Sequence, residues 1–475
     1  MLTNLQLQNF KVWRDTGSVP LKPLTVFFGT NSSGKSSLEQ FFLMLRQTVG
    51  SADRKLVLHP GDTNSAVNLG SFEEMVYRRD KRAKLDFNFE WELSEPVTVR
   101  DPRSDFACTG NRMSFEARVG LVGDSAAKLA VERMAYRLKQ DGRERLSVVL
   151  ERQSQPKAEY KLTATPYELV RNPGKPWPLG DPTKFYGFPL EVTAYHQNAD
   201  FVQDLSLALE RLFRAISYLG PLRSKGQRLY FWTGGEPTDV GFSGEQTISA
   251  LLAAKERKLN TGFRRRYQPF QKLIAEQLKQ LTLIDAFEVR QISANRKEYE
   301  VKVKTPGATD WVDLPDVGFG VSQVLPVLVQ CFYAPPGSIL FIEQPELHLH
   351  PKAQSNLADL FIDVLSSRED GKPRNLQLII ETHSEHFLLR LQRRIAESSA
   401  EHPITPEQVA AYVAHTGGIE SKLEPLQIDL LGNINNWPEN FFGDSMGDLM
   451  AMTRAAAERQ QVQPAATSNP NAATE

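Results

Sequence analysis

Two cysteines, Cys108 and Cys331, are all that 475 residues contain, and their spacing suits neither a disulfide framework nor a zinc knuckle. So few thiols fit a reducing compartment. Long apolar runs are also missing: the longest nearly apolar stretch, Val324 to Ala334, falls far short of the roughly 20 residues needed to span a bilayer. Met1 to Arg14 mix polar and charged groups and lack the apolar core of a secretion signal. These absences lead us to expect a cytoplasmic protein without membrane contact. Nor does one sign of charge dominate, with 56 Lys plus Arg against 57 Asp plus Glu. No global field draws the chain to nucleic acid, so any such contact has to be local. The lack of a sustained heptad pattern excludes a long coiled-coil arm.

What the chain does have is apolar material, 41% of its residues, enough at this length for about two to four folding units. Its most informative stretch is Gly29-Thr30-Asn31-Ser32-Ser33-Gly34-Lys35-Ser36, followed by Ser37, which fulfils the phosphate-loop pattern GxxxxGK[ST]. The apolar run Leu24 to Phe28 before it reads as a strand. Leu38, Phe41, Phe42 and Leu45 after it recur at the 3, 4, 7 spacing of one helix face. The chemistry needs both, because the strand aims the loop and the helix N-terminus stands behind the phosphates. The glycines let backbone N–H groups approach phosphate oxygens. ATP is therefore the expected cofactor, held by residues 29 to 37. Lys35 would lie on the β- and γ-phosphates, and the Ser36 hydroxyl would take one place on Mg²⁺.

Six segments are expected: a phosphate-loop lobe over 1–90, a β-rich insertion over 91–200, a helical insertion over 201–310, a second ATPase lobe over 311–403, a small extension over 404–456, and a disordered tail over 457–475. Alternation from Lys84 to Trp91 predicts a strand with one buried face, and the prolines between 156 and 189 predict short, irregular elements. The runs Ser338 to Ile342 and Leu376 to Ile380 are apolar throughout, as parallel strands buried on two faces would be. Between them, Leu357, Leu360, Phe361, Val364 and Leu365 share a helix face.

A phosphate loop needs a carboxylate at the end of a neighbouring strand to hold the metal through its water shell, and Glu343 after Ile339 to Ile342 supplies one. His383, just past the next core strand, is placed to reach the γ-phosphate or the attacking water.

Lys35, then Gly318 to Gln323, then Ile342-Glu343-Gln344-Pro345-Glu346-Leu347-His348-Leu349-His350-Pro351, then Thr382-His383-Ser384 together resemble the ABC-class ATPases of the SMC, RecF and OLD lineage. Tyr218 to Arg223 and Trp437 to Phe442 further resemble a prokaryotic branch of AAA-type ATPases, some of whose relatives occur in anti-phage defence loci. The resemblance implies an α/β fold, a P-loop NTPase of ABC head type assembled from two lobes around a β-rich and a helical insertion. It also implies a homodimer or higher homo-oligomer sandwiching two ATP molecules, each site completed in trans by a signature sequence. Two stretches compete for that role. Phe242-Ser243-Gly244-Glu245-Gln246 has the better text, but Gly320 with Ser322 has the better place. Ser322 precedes Glu343 by 21 residues (343 minus 322), leaving room for a helix from Val324 to Tyr333, so it is the choice here. Relatives that cut nucleic acid append a further metal-dependent domain, for which the residues after 395 are too few, so any nuclease or toxin would be a separately encoded effector. A RecF-like DNA-binding ATPase acting in repair is the alternative, and nucleic acid stays open as a partner.

Many members of the class carry a glutamate directly after the metal carboxylate, where this chain has Gln344. An amide cannot accept a proton from water as a carboxylate can, and losing such help costs roughly 10² to 10⁴-fold in rate. Slow hydrolysis is the expectation, unless Glu346 or His383 substitutes. The histidines at 348, 350, 383 and 386 carry zinc-like spacings but lie inside the ATPase motifs. Lys255 to Lys272, with Arg257, Arg264, Arg265 and Arg266, is the most basic stretch, readable either as a solvated face or as a phosphate-backbone surface. Lys11 and Trp13 precede the phosphate strand, where related heads place a basic residue near the nucleotide.

Overall fold

In a computed structural model of the chain, residues 1–123, 128–153, 159–174, 178–262, 265–417, 420–437 and 445–462 are described. The chain divides into two units, Met1–Asn435 and Asn436–Glu475. The second holds, among its described residues, one helix, Ser445–Val462. That helix takes in residues 457–462 of the tail expected to be disordered over 457–475, and the rest of that tail, from 463 onward, lies outside the described residues.

In the first unit, β1 (Leu2–Phe10) leads to β2 (Leu24–Gly29), the phosphate loop and α1 (Lys35–Gly50). Five long strands follow: β3 (Leu85–Arg100), β4 (Ala107–Val122), β5 (Lys128–Gln140), β6 (Arg143–Gln153) and β7 (Glu159–Thr165). They run β1-β3-β4-β5-β6-β7 in an antiparallel sheet, with two short strands, Trp13–Asp15 and Val19–Pro20, also on β1. In β3 the buried Leu85, Phe87, Phe89 and Trp91 alternate with partly exposed Asp86, Asn88 and Glu90, giving a sheet with one dry face. Residue 90 falls inside β3, so 1–90 and the β-rich segment share one sheet.

The remaining elements are α2 (Phe201–Arg214), β8 (Ile216–Leu219), α3 (Phe319–Tyr333), β9 (Ile339–Glu343), α4 (Pro351–Leu365), β10 (Gln377–Glu381), α5 (Glu385–Glu397), β11 (Val409–Gly417) and β12 (Glu420–Leu426). They build the second sheet, ordered β8-β9-β10-β2-β11-β12. All neighbours in it are parallel except β11 and β12. β2, β9 and β10 are buried at every position, as apolar parallel strands should be. β8 lies within the stretch read as helical. Its four residues, Ile216 to Leu219, are too few to show a period beside the strongly amphipathic α2. β11 and β12, read as part of an extension, complete the sheet on the far side of the phosphate strand. A smaller antiparallel sheet joins Tyr230–Phe231, Ala286–Gln291, Glu298–Lys304 and Val312–Asp313.

α1 lies between the two sheets. The ring of Phe42 stands 6.1 Å from Phe89 of β3 and 5.5 Å from Phe341 of β9, and Phe41 stands 5.1 Å from Phe87. These aromatic contacts, worth about 0.5–1.5 kcal/mol each beyond their burial, fix the helix whose first turn carries the phosphate loop.

Candidate nucleotide site

The loop leaves β2 at the carboxyl edge of the parallel sheet, where α/β folds bind their ligands. Two glycines are required by space as well as by dihedral. At Gly34, with φ 100°, a Cβ would stand 2.4 Å from Val12 and 3.0 Å from the Trp13 ring, and at Gly29 it would stand 2.3 Å from the Ala414 carbonyl oxygen. Trp13 is buried and donates its indole N–H to the Gly34 carbonyl at 3.1 Å, while Lys11 bonds Gln40 of α1. The strand pair before the loop therefore braces it. The Lys35 ammonium donates to the carbonyls of Gly29 and Thr30, both at 2.9 Å, so the loop closes around its own lysine.

Around Lys35 the sheet collects acids. Glu343 and Glu381 are register partners at the ends of β9 and β10, which in a parallel pair puts both side chains on one face. The Ser36 hydroxyl donates to Glu381 Oε2 at 2.7 Å, and the Tyr218 hydroxyl donates to Glu343 Oε1 at 2.9 Å. Lys35 Nζ stands 3.8 Å from Glu381 Oε1. Burial, then the charge of Glu381, pushes Glu343 up to about 7. Burial also raises Glu381, against the pull of Ser36 and Lys35. A third acid, Glu39 of α1, is 1% exposed, and burial followed by the charges of Glu343 and Glu381 raises it well above the carboxylate range. These donors are all oxygen, the set that suits a hard cation such as Mg²⁺.

β9 ends in a sharp turn, with Gln344 at φ 45° and its N–H donating to the Glu381 carbonyl at 2.7 Å. Arg223, buried behind the turn, donates to the carbonyl of Glu343 at 2.7 Å and to that of Gln344 at 3.4 Å. Its pKa is pulled down to about 10 by burial. Glu346, also buried, accepts the His383 backbone N–H on Oε1 at 2.7 Å. The His383 ring lies near the Gly29 carbonyl, and burial, then the charge of Lys35, lowers its pKa. Lys35, Ser36, Glu343, Gln344 and His383 are thus within one constellation. Sequence reasoning gave no role to Glu39, Tyr218, Arg223 and Glu381. A signal did exist for Glu39: a carboxylate on the apolar face of a helix, beside Leu38 and Phe42.

Ser322 and Gly320 lie elsewhere, in the first turn of α3, where the Ser322 hydroxyl bonds the Phe319 carbonyl at 2.9 Å. The helix then runs to Tyr333, shortly before β9. Ser243 sits in a glycine-flanked turn, its hydroxyl bonded to Ser224 at 2.9 Å and Glu245 at 2.8 Å. The histidines at 348 and 350 serve the chain itself: His350 caps α4 at the Lys352 N–H, and the His348 ring lies 6.1 Å from Phe319. In the basic stretch, Arg257 forms a two-pronged pair with Glu369, and Arg265 pairs with Asp363 at 2.7 Å. Phe263 and Arg264 lie outside the described residues, as do positions 438–442 of the Trp437 to Phe442 stretch.

Residues 205–390 match the family described as AAA domain, putative AbiEii toxin, Type IV TA system. Residues 404–452 match one described as a protein of unknown function, DUF3696. No curated protein matches the chain. Among solved structures it is similar to the SMC head domain from Thermotoga maritima, at 10% identity over 90% of this chain and 99% of that one, with a TM-score of 0.39. It is also similar to the Smc head domain bound to the C-terminal domain of ScpA from Pyrococcus furiosus, at 11% identity over 96% and 99%, with a TM-score of 0.36. Likeness at that level does not by itself define a fold. The phosphate loop between β2 and α1 and the parallel sheet around it are the architecture of a P-loop NTPase, and the matched AAA domain covers residues 205–390 of it.

Proposed function

We propose that the protein binds ATP with Mg²⁺, hydrolyses it slowly, and works as a nucleotide-dependent switch or scaffold for a separately encoded effector. The observation that carries this reading is the convergence of Lys35, Ser36, Glu343 and His383 on one loop, with an amide, Gln344, after the metal carboxylate. Lys35, now on the carbonyls of Gly29 and Thr30, would turn to the β- and γ-phosphates, and backbone N–H groups of the loop would serve the remaining oxygens. Ser36 and Glu343 would hold Mg²⁺, whose charge offsets that developing on the transferred phosphoryl group. To His383, whose pKa burial lowers so that the neutral ring is favoured, this reading assigns the sensing of the γ-phosphate. Without a carboxylate at 344, the attacking water lacks a base of the ordinary kind.

Closure of two chains around the nucleotide suits the exposed start of α3, where Phe319 is 61% exposed and the helix N-terminus is available to a phosphate of the facing site. The description of the matched family, a putative toxin of a toxin–antitoxin system, favours a defence setting. The repair alternative loses ground on one observation: Arg257 and Arg265 are spent on internal ion pairs, which leaves a thinner basic surface for DNA.

Steady-state phosphate release, with and without duplex DNA and against Lys35→Ala, tests the proposal. Slow, Lys35-dependent release indifferent to DNA is expected. Fast release stimulated several-fold by DNA would overturn the switch in favour of the repair motor.

A further inference from the structure

We propose that Glu39, Glu343 and Glu381 form a divalent-cation site that fills without nucleotide. One carboxylate oxygen from each lies within 4.8 Å of the others, and the side chains come from three elements, α1, β9 and β10. Among three ligands of one cation at most one pair is opposite, about 4.2 Å apart on Mg²⁺ and about 5 Å on Ca²⁺, and the others stand roughly 3 to 3.5 Å apart, so carboxylates within 4.8 Å of one another can close on a hard cation by side-chain rotation.

Glu39 supplies a second, separate pointer. It is 1% exposed, and apart from the neighbouring carboxyl groups neither of its oxygens meets a hydrogen-bond donor. A buried carboxylate left without donors is costly, and this one faces the other two acids. Glu343 and Glu381 each receive one hydroxyl, from Tyr218 and Ser36, which leaves an oxygen on each to share. Compensating charge is short. Lys35 approaches only Glu381, at 3.8 Å, and spends its hydrogen bonds on carbonyls. Arg223 faces backbone carbonyls. Three buried acids against the Lys35 ammonium and the Arg223 guanidinium still leave one negative charge over, which requires a shared proton or a cation, and an all-oxygen set without histidine or cysteine selects Mg²⁺, Mn²⁺ or Ca²⁺ over softer metals.

The site differs from the one in the proposed function. There the cation depends on nucleotide phosphates and on Ser36. Here Glu39 and Glu381 complete a cage made by the protein alone. The inference shares Glu343 with that reading but does not require ATP binding.

Full-length protein, stripped with chelator and free of nucleotide, is titrated with Mn²⁺. Binding is followed by loss of the free Mn²⁺ paramagnetic resonance signal, and in parallel by the melting temperature. Wild type is expected to bind one Mn²⁺ per chain and to melt higher with it. Lys35→Ala should bind Mn²⁺ equally well or more tightly. Glu39→Gln, which keeps the volume and removes the charge, should bind about tenfold more weakly or not at all, and its melting temperature should not respond to Mn²⁺. No nucleotide-free binding by wild type would overturn the inference, whether or not any variant folds. Unchanged binding by a folded Glu39→Gln would do the same. A fluorescent ATP analogue added to the same samples separates the two readings. Mn²⁺ binding without ATP binding removes the nucleotide reading alone, and ATP binding without nucleotide-free Mn²⁺ binding removes this one alone.

Discussion

At the scale of single residues, the site turns on Gln344. Its backbone is held tightly, by the Glu381 carbonyl and by Arg223, at a positive φ, so a glutamate placed there would inherit a fixed position. Gln344→Glu is therefore expected to raise steady-state phosphate release by about 10²-fold or more. An unchanged rate would mean that Glu346 or another step governs turnover, and the slow switch would have to be given up. The phosphate loop was legible in the sequence because its needs are local: Gly29 and Gly34 meet backbone and ring atoms that no Cβ could share space with. Glu39, Glu343 and Glu381 were legible only in part. Their meeting depends on strand register and on a helix lying across two sheets, and nothing within a few residues of Glu39 announces Glu381.

At the scale of elements, α3 carries the signature candidate at one end and is anchored at the other. Arg374, wholly buried, donates to the carbonyls of Cys331 at 3.1 Å and Phe332 at 3.0 Å, and also to that of Ala334. These are the orphan acceptors at a helix C-terminus, and the guanidinium also suits the negative end of the dipole. Arg374→Ala strips these carbonyls of donors where water cannot replace them. A loss of about 3 kcal/mol or more is expected, read as a lower denaturation midpoint. A shift within error would mean that the carbonyls find other donors. α3 itself was readable from Val324 to Tyr333 and proved one turn longer, back to Phe319. β8 was not readable, since four residues carry no period. The arginine cap was invisible for another reason: its two ends are 43 residues apart (374 minus 331) and joined only through the fold.

At the scale of the whole first unit, the two cysteines make natural reporters. Burial pushes the Cys331 thiol, on α3, up to about 12, and it raises Cys108 in the antiparallel sheet less. Since the thiolate is the reactive form, a native chain exposed to iodoacetamide near neutral pH should be alkylated slowly at Cys108 and not at Cys331. Cys331 should react only as fast as the core opens. Mass spectrometry of the two peptides over time checks this, and free-thiol rates at Cys331 would mean that the packing around α3 is wrong.

β2, which aims the phosphate loop, lies between β10 and β11. During synthesis, residue 29 precedes the first residue of β10 by 348 positions (377 minus 29) and that of β11 by 380 (409 minus 29). The loop therefore leaves the ribosome long before the strands on either side of it. A nascent chain thus carries every residue of the loop while lacking the sheet that orients them. Nucleotide capture would become a mark that β10 and β11 have been made and paired.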